Sequence, residues 1–524
     1  MRRALFTGIG LLGLAALSAC NPWDKIPDDG SAYLEDALWD ADVVAASDGV
    51  YARLPHAREL VRVTPEGNFD VVDLGAFAPR RLLPTPDGAA VLAFTSAPVC
   101  DTTDPDIETV EDCWEELGED FLSDTYALSI VRDGEEDARF DLSVPFNAVQ
   151  FTADGQTAVA YLDYEAGLDL DIDGVLNLTE VLFIDVASGE AHSVPVGFSA
   201  DRVLFNADET KAVVLSRSQV VVVNLASGDY ETLVTYPLTL DADDTVSPLD
   251  AALTPDGRYA LITIEGSGDL YILDLEVEAI NLVSLESAPS DMVVDSESDR
   301  TAIVYSGRPE VDILEHQYFD VETLTLEEPA TDVLNVGGVA LLHNISSSDR
   351  HDLYRLDLTS GELVEMRMEN PITRLELSPD KATAVAFMRP EKSSGDNTLE
   401  GYYDDNYGVA IVDFWTEDII SLVTESQPVG LAFSEGEIPV ALVLLSGQDD
   451  LLQLDLGTGT HTEVRLEEPP LDIGSYGDDQ FYITHDTAMG MVSFLDPDSG
   501  NISVTANFAA RNLLGSETPL LLEE

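Results

Sequence analysis

Short apolar runs alternate with tight polar turns along nearly the whole chain, in a unit that repeats at about forty residues. The first half of the unit reads strand, turn, strand. Clear copies are RRLLPTPDGAAVLAF (80–94), AVQFTADGQTAVAYL (148–162), AALTPDGRYALITI (251–264) and RLELSPDKATAVAFM (374–388). RVLFNADETKAVVLS (202–216) and MVVDSESDRTAIVYS (292–306) are weaker copies. Pro-Asp-Gly suits the turn: Pro sets φ, Asp bonds back to the backbone, and Gly takes the left-handed place. The second half is a strand ending in Asp or Asn, then a turn of the form [DN]-x-x-[ST]-G. It occurs as DVASG (185–189), NLASG (224–228), DLTSG (357–361), DLGTG (455–459) and DPDSG (496–500). Another β-prone run follows each.

Each unit therefore holds four short strands, a to d, which cannot bury both faces without neighbours. The pattern predicts an all-β protein: a β-propeller of four-stranded blades over residues 43–524, with about eight to ten repeats. One large ring is preferred over two tandem rings, because no linker divides the array. The tail FAARNLLGSETPLLLEE (508–524) echoes FAPRRLLPTPDGAAVLAF (77–94), whereas 42–74 reads as later strands only. The expectation is that the two termini share one blade and leave no free edge.

Long insertions interrupt the pattern at 95–125, 163–179 and 389–407, each between strands b and c, and at 237–247, between d and the next a. In an antiparallel blade these connections share one face, where repeat scaffolds usually place their binding surface. That face is acidic. Residues 100–125 hold eleven acids, no Lys or Arg, and Trp114. The third insertion ends in Tyr402, Tyr403, Asp404, Asp405 and Tyr407. Tyrosines beside carboxylates suit a cationic or sugar-like partner.

Composition sharpens this picture. The net charge is −75, with four lysines in 524 residues, yet 45% of residues are hydrophobic. The chain can build a large core, so disorder is rejected. Such a surface repels phosphates, which excludes nucleic acid as a partner, and it attracts divalent cations and basic proteins.

The N-terminus has a basic start, Arg2-Arg3, then an apolar stretch to Leu17, too short for a stable membrane span. Its ending, Leu17-Ser18-Ala19-Cys20, resembles the lipobox of bacterial lipoproteins. The resemblance implies cleavage after residue 19, lipidation of Cys20, a tether over 20–42, and anchoring to the cell envelope. Asn21, where Asp would favour inner-membrane retention, points to the outer membrane. With Cys20 acylated, Cys100 and Cys113 remain as one pair, expected as a disulfide outside the cytoplasm.

LTPDGRYALIT followed by GDLYILDL (253–275) resembles the YVTN-type, lactonase-like propellers of bacteria. The Gly-His and Trp-Asp signatures of WD repeats are absent. The resemblance implies the fold and leaves activity open.

One loop carries metal-type spacing. In LDLDIDGVLNLTE (168–180), Asp169, Asp171, Asp173, Gly174 and Glu180 match D-x-D-x-D-G-x5-E. Val175 would offer its carbonyl and Asn177 its side chain. The flanks read as strands, so Glu180 is expected to begin strand c. The loop resembles, locally, the calcium loops between strands of integrin-like propellers, and calcium is the expected ion. The seven histidines form no H-x-x-x-H or H-E-x-x-H, and there is no G-x-S-x-G or P-loop. The reading is a non-catalytic, lipid-anchored acidic scaffold that binds a protein or glycan through its b–c insertions and is stabilised by calcium. The alternatives are a metal-dependent lactonase-like hydrolase, which needs carboxylates and His converging in the channel, and an outer-membrane assembly component.

Overall fold

A computed structural model of the chain describes residues 43–506 and 520–521, except chiefly 101–122, 164–178, 239–245, 346–350 and 392–401. Ten antiparallel sheets follow one another, spanning 43–72, 78–142, 148–195, 200–237, 248–284, 291–325, 332–367, 372–424, 428–465 and 470–506. Each is a blade in which a, b, c and d pair in sequence order.

The turns are made as their residues require. In the a–b turns Gly88, Gly155 and Gly257 hold φ near +65° to +68°. The Asp oxygen bonds the amide two residues on, as in Asp256 to Arg258 at 3.0 Å. A hydroxyl two residues earlier completes the knot, as Thr254 donates to Asp256 at 2.6 Å. In the c–d turns the strand-ending Asp collects two amides, Asp357 those of Thr359 and Ser360, and Asp496 those of Asp498 and Ser499. Led by the Ser360 and Ser499 amides, these bonds hold the Asp357 and Asp496 carboxyls below the usual range.

Ten apolar cores fill ten seams. Each is shared by consecutive blades, and the tenth joins blade 10 to blade 1 through Val50, Val61, Tyr482, Val492 and Phe494. The array is one ring. The a strands of successive blades touch, for example blades 5 and 6, 6 and 7, and 10 and 1, so a is the innermost strand. The d strands are mostly exposed and form the rim.

One expectation is corrected. The termini do not share a blade. Blade 1 has its own a strand, Val43–Ala46, and blade 10 draws all four strands from 470–506. The ring closes by face packing, assisted by Tyr482 donating to the Val43 carbonyl at 3.1 Å and Thr505 to the Thr64 carbonyl at 3.2 Å. The compact turn at Ser47-Asp48-Gly49 lacks Pro-Asp-Gly, which hides the first hairpin from pattern reading. The described part of the tail, Leu520–Leu521, lies parallel to Val99 and Cys100 of blade 2.

Candidate functional site

The connections at 101–122, 164–178, 346–350 and 392–401 join b to c, and 239–245 joins d to a. Antiparallel order places all their roots on one face, as expected. Blade 2 also lengthens b and c into the ten-residue strands Val91–Cys100 and Ser123–Arg132, so its insertion stands on a two-stranded stalk.

The calls on this face divide. Cys20, Cys113, Trp114, Asp169, Asp171, Asp173, Val175, Asn177 and Asp404 lie outside the described residues, and Cys100 is described only as strand backbone. Lipidation, the disulfide and the calcium loop rest on these positions. Glu180 does begin strand c of blade 3, and its carboxylate accepts from Ser193 Oγ at 2.8 Å across the sheet.

The tyrosine group has a definite scaffold. The Tyr402 and Tyr403 rings meet edge to face with centroids 6.3 Å apart, and Tyr402 is 56% exposed. Asn370, buried in the connection from blade 7 to blade 8, donates to the carbonyls of Tyr403 (2.6 Å) and Asn406 (3.0 Å). Asn406 in turn donates to the Tyr402 carbonyl at 2.7 Å. These bonds fix the loop base and present Tyr402 outward. Tyr407 is half-buried at the start of strand c, and Asp405 stays exposed beside the ring pair. Beside this loop, between the outer halves of blades 8 and 9, a cavity of about 350 Å³ is walled by Leu422, Leu445 and Leu452, with Asp450, His461 and Glu463 among its polar groups.

Sequence reasoning missed the axial mouth. Just inside this face, the a strands of blades 2, 4, 5, 6, 7, 8 and 10 carry a charged residue at one ladder position: Arg81, Arg202, Asp250, Asp291, Asp332, Arg374 and Asp472. Where it is Arg, it clasps the following blade's innermost backbone. Arg81 donates to the Asn147 carbonyl, and Arg374 to the Val429 carbonyl at 3.4 Å. Arg202 pairs with Asp250 and reaches the Leu249 carbonyl at 3.5 Å. In blade 6 an acid reverses the polarity: Asp291 accepts the Val333 amide of blade 7 at 2.8 Å. Burial, followed by the nearby charges of Asp250 and Asp332, pushes the Asp291 carboxyl up to about 6. Three histidines are buried and kept neutral by desolvation: His316, His343 and His485. His485 has both ring nitrogens engaged, with the Glu468 carbonyl (3.0 Å) and Ser493 Oγ (2.7 Å). Among the described residues, no three His, Cys, Asp or Glu side chains converge closely enough to hold a metal ion.

No family model matches the chain, and no curated protein does. Solved structures do. A eukaryotic initiation factor structure is similar over 80% of this chain and 95% of its own, with TM-score 0.50 and 10% identity. Dihydro-heme d1 dehydrogenase NirN, in complex with DHE, is similar over 64% of this chain and 70% of its own (TM-score 0.43, 12% identity). Virginiamycin B lyase from Staphylococcus aureus follows over 54% and 90% (TM-score 0.31, 11% identity). At these identities the likeness concerns the propeller fold alone.

Proposed function

We propose that this protein is a non-catalytic scaffold of the cell envelope whose acidic, loop-bearing face captures a basic protein or a glycan. One observation carries the reading: every long insertion is rooted on the same face, beside an outward Tyr402 and carboxylates, while the opposite face has only tight turns. Loops placed on a rigid ring are where binding residues concentrate. The lipobox-like start supports an outer-membrane anchor at Cys20, and the D-x-D-x-D-G spacing supports calcium in the blade 3 loop. The hydrolase alternative has no convergent group of three metal-competent side chains behind it among the described residues.

The test is a pull-down of the lipidated protein from solubilised membranes, with and without a calcium chelator. A specific partner retained by the wild type and lost on Tyr402→Ala with Asp405→Asn supports capture at this face. A partner retained by that double variant refutes it, and retention through chelation refutes the calcium link.

A further inference from the structure

The seam between blades 8 and 9 lacks the apolar plug that its sister seams have. Eleven residues after the acid that ends strand c, the end of strand d turns a side chain into the seam with the following blade. After Asp185, Asp274, Glu315, Asp357 and Asp455 it is Val196, Leu285, Leu326, Met368 and Leu466, each buried in that seam's core. In blade 8 the same count from Asp413 reaches Thr424. Thr424 is shorter than the Leu or Met of four sister blades, and its hydroxyl donates to the Ser426 carbonyl at 2.8 Å. Leu422 and Leu445 stay only partly buried there, and with Leu452 they wall the cavity of about 350 Å³. Close-packed interiors rarely leave such a space between apolar side chains.

The polar side of the same cavity departs from its sisters independently. Strand c opens on an acid in blades 3, 5, 6 and 9: Glu180, Asp269, Glu310 and Asp450. Ser193 Oγ holds Glu180 at 2.8 Å, Ser284 Oγ holds Asp269 at 2.8 Å, and Arg308 pairs with Glu310. Asp450 faces Arg465 across the ladder, yet its Oδ1 is buried with no hydrogen-bond partner. Leu452 and its ladder partner Glu463 project from the same sheet face as Asp450, toward blade 8. A buried carboxylate oxygen without a donor costs stability unless something binds it.

We infer that this slot receives a primary alkylammonium: a lysine side chain of the captured partner lays its stem on Leu422, Leu445 and Leu452 and bonds Asp450 with its head. The inference rests on the loop-bearing face being a capture surface. The slot reaches that face, where Glu425 of the blade 8 to 9 connection and Gln448 of the blade 9 b–c turn line it. Apolar walls ending at an unpaired carboxylate select a ligand with a hydrocarbon stem and a cationic end. Lysine has a four-carbon stem and three donors on a compact head, whereas guanidinium would bring five donors in a fixed plane to few acceptors. The polar groups do not converge into a metal site. At about 350 Å³ the space lies near the bottom of the roughly 300–1,000 Å³ of small-ligand sites, which suits one side chain.

The experiment titrates the full chain with capped Gly-X-Gly peptides in which X is lysine, norleucine (the stem without the charge), diaminopropionate (the charge without the stem) or arginine. Binding is followed by calorimetry and by the methyl signals of Leu422, Leu445 and Leu452. The lysine peptide is expected to bind at least about tenfold tighter than each of the others and to shift those methyls. Thr424→Leu, which restores the plug, and Asp450→Asn each lose about tenfold, while Asp269→Asn, at the equivalent place in the plugged blade 5, changes nothing. Leu occupies this place in blades 5, 6 and 9, so a folded Thr424→Leu is verified by its melting profile. Equal binding of norleucine, diaminopropionate or arginine overturns the inference, as does binding indifferent to Thr424→Leu and Asp450→Asn or equally weakened by Asp269→Asn. Membrane capture that persists while the peptides fail removes the slot and leaves the capture face standing. Failure of both removes the reading beneath it.

Discussion

The closing seam is the point at which this ring is most easily tested. Blades 10 and 1 are joined by no linker and share no strand, so side chains alone hold them. Tyr482 is central: 8% exposed, packed with Val50, Val61 and Phe494, and bonded through its hydroxyl to the Val43 carbonyl. Its ring folds back over Gly474, its partner in the ladder, where an added Cβ would run into the ring atoms. Tyr482→Ala should cost about 3–5 kcal/mol, the range for truncating a buried aromatic. Tyr482→Phe, which loses only the hydroxyl bond, should cost about 1 kcal/mol. Gly474→Ala overpacks the same spot and should cost about 1–3 kcal/mol. Removal of the ring makes room for the new methyl, so the double variant should be less destabilised than the sum by about 1–3 kcal/mol. Urea unfolding at neutral pH gives all four corners of the cycle, and gel filtration reports ring opening as concentration-dependent dimers exchanging blade faces. Additivity within about 0.5 kcal/mol would refute the contact, and a strictly monomeric Tyr482→Ala would refute the seam as the weak join.

Three further outcomes follow from named groups. Asp291 has its pKa raised from 3.8 to about 6, so its contribution to stability is complete below 3.8 and is lost as pH rises through 6. Asp291→Asn should therefore raise the melting temperature above pH 6, with the advantage gone near pH 4; a constant difference across that range contradicts the assignment. His485 is shifted down by burial, so its contribution is complete above about pH 6.5 and is lost as pH falls toward its folded value. Melting temperatures should decline from there, less steeply in His485→Gln, and parallel curves would argue against it. Gly257 holds φ +65° with a would-be Cβ 3.1 Å from Asn206 of the neighbouring blade. Gly257→Ala should cost about 1–2 kcal/mol in urea unfolding from left-handed strain, with the displacement of Asn206 added to it, whereas Gly361→Ala, with open space around it, should show only the backbone part.

The blades were legible in the sequence because their turns are chemical, not merely polar. Asp357 and Asp496 make the turns that the [DN]-x-x-[ST]-G spacing predicts by collecting two amides each, and Gly257 takes the left-handed place expected after Pro-Asp. Closure was misread for the converse reason. Val43–Ala46 is short, and its turn has no Pro, so the first strand carries no signal. The echo between 508–524 and 77–94 then suggested a shared blade that face packing makes unnecessary. The loop face followed from connection order alone. The axial mouth escaped because its residues are single charges inside apolar strands, which periodicity treats as noise. A signal did exist. With the units aligned on their ladders, Arg202, Asp250, Asp291, Asp332 and Arg374 occupy one column, and His343 stands alone among Phe94, Leu215, Thr263, Val304 and Phe387 in the next.

That column bears on how a chain of net charge −75 closes a ring. Repulsion between acids is screened by water and salt where they are exposed, and less so where they are partly buried, as Asp291 is. Arginine is the residue that resolves this. Arg81, Arg202 and Arg374 each bind an inter-blade carbonyl and leave a counter-charge near the axis. Blades 5, 6, 7 and 10 carry Asp at this place, and Asp250 is the ion-pair partner of Arg202. The chain sets three carboxylates in a row, desolvates the middle one, and buries an imidazole beside the third. Arginine stands at this place in blades 2, 4 and 8 and aspartate in blades 5, 6, 7 and 10, so the ring closes on a mixture of both charges, with each arginine tied to the next blade and each acid free to take an arginine or an amide as its partner.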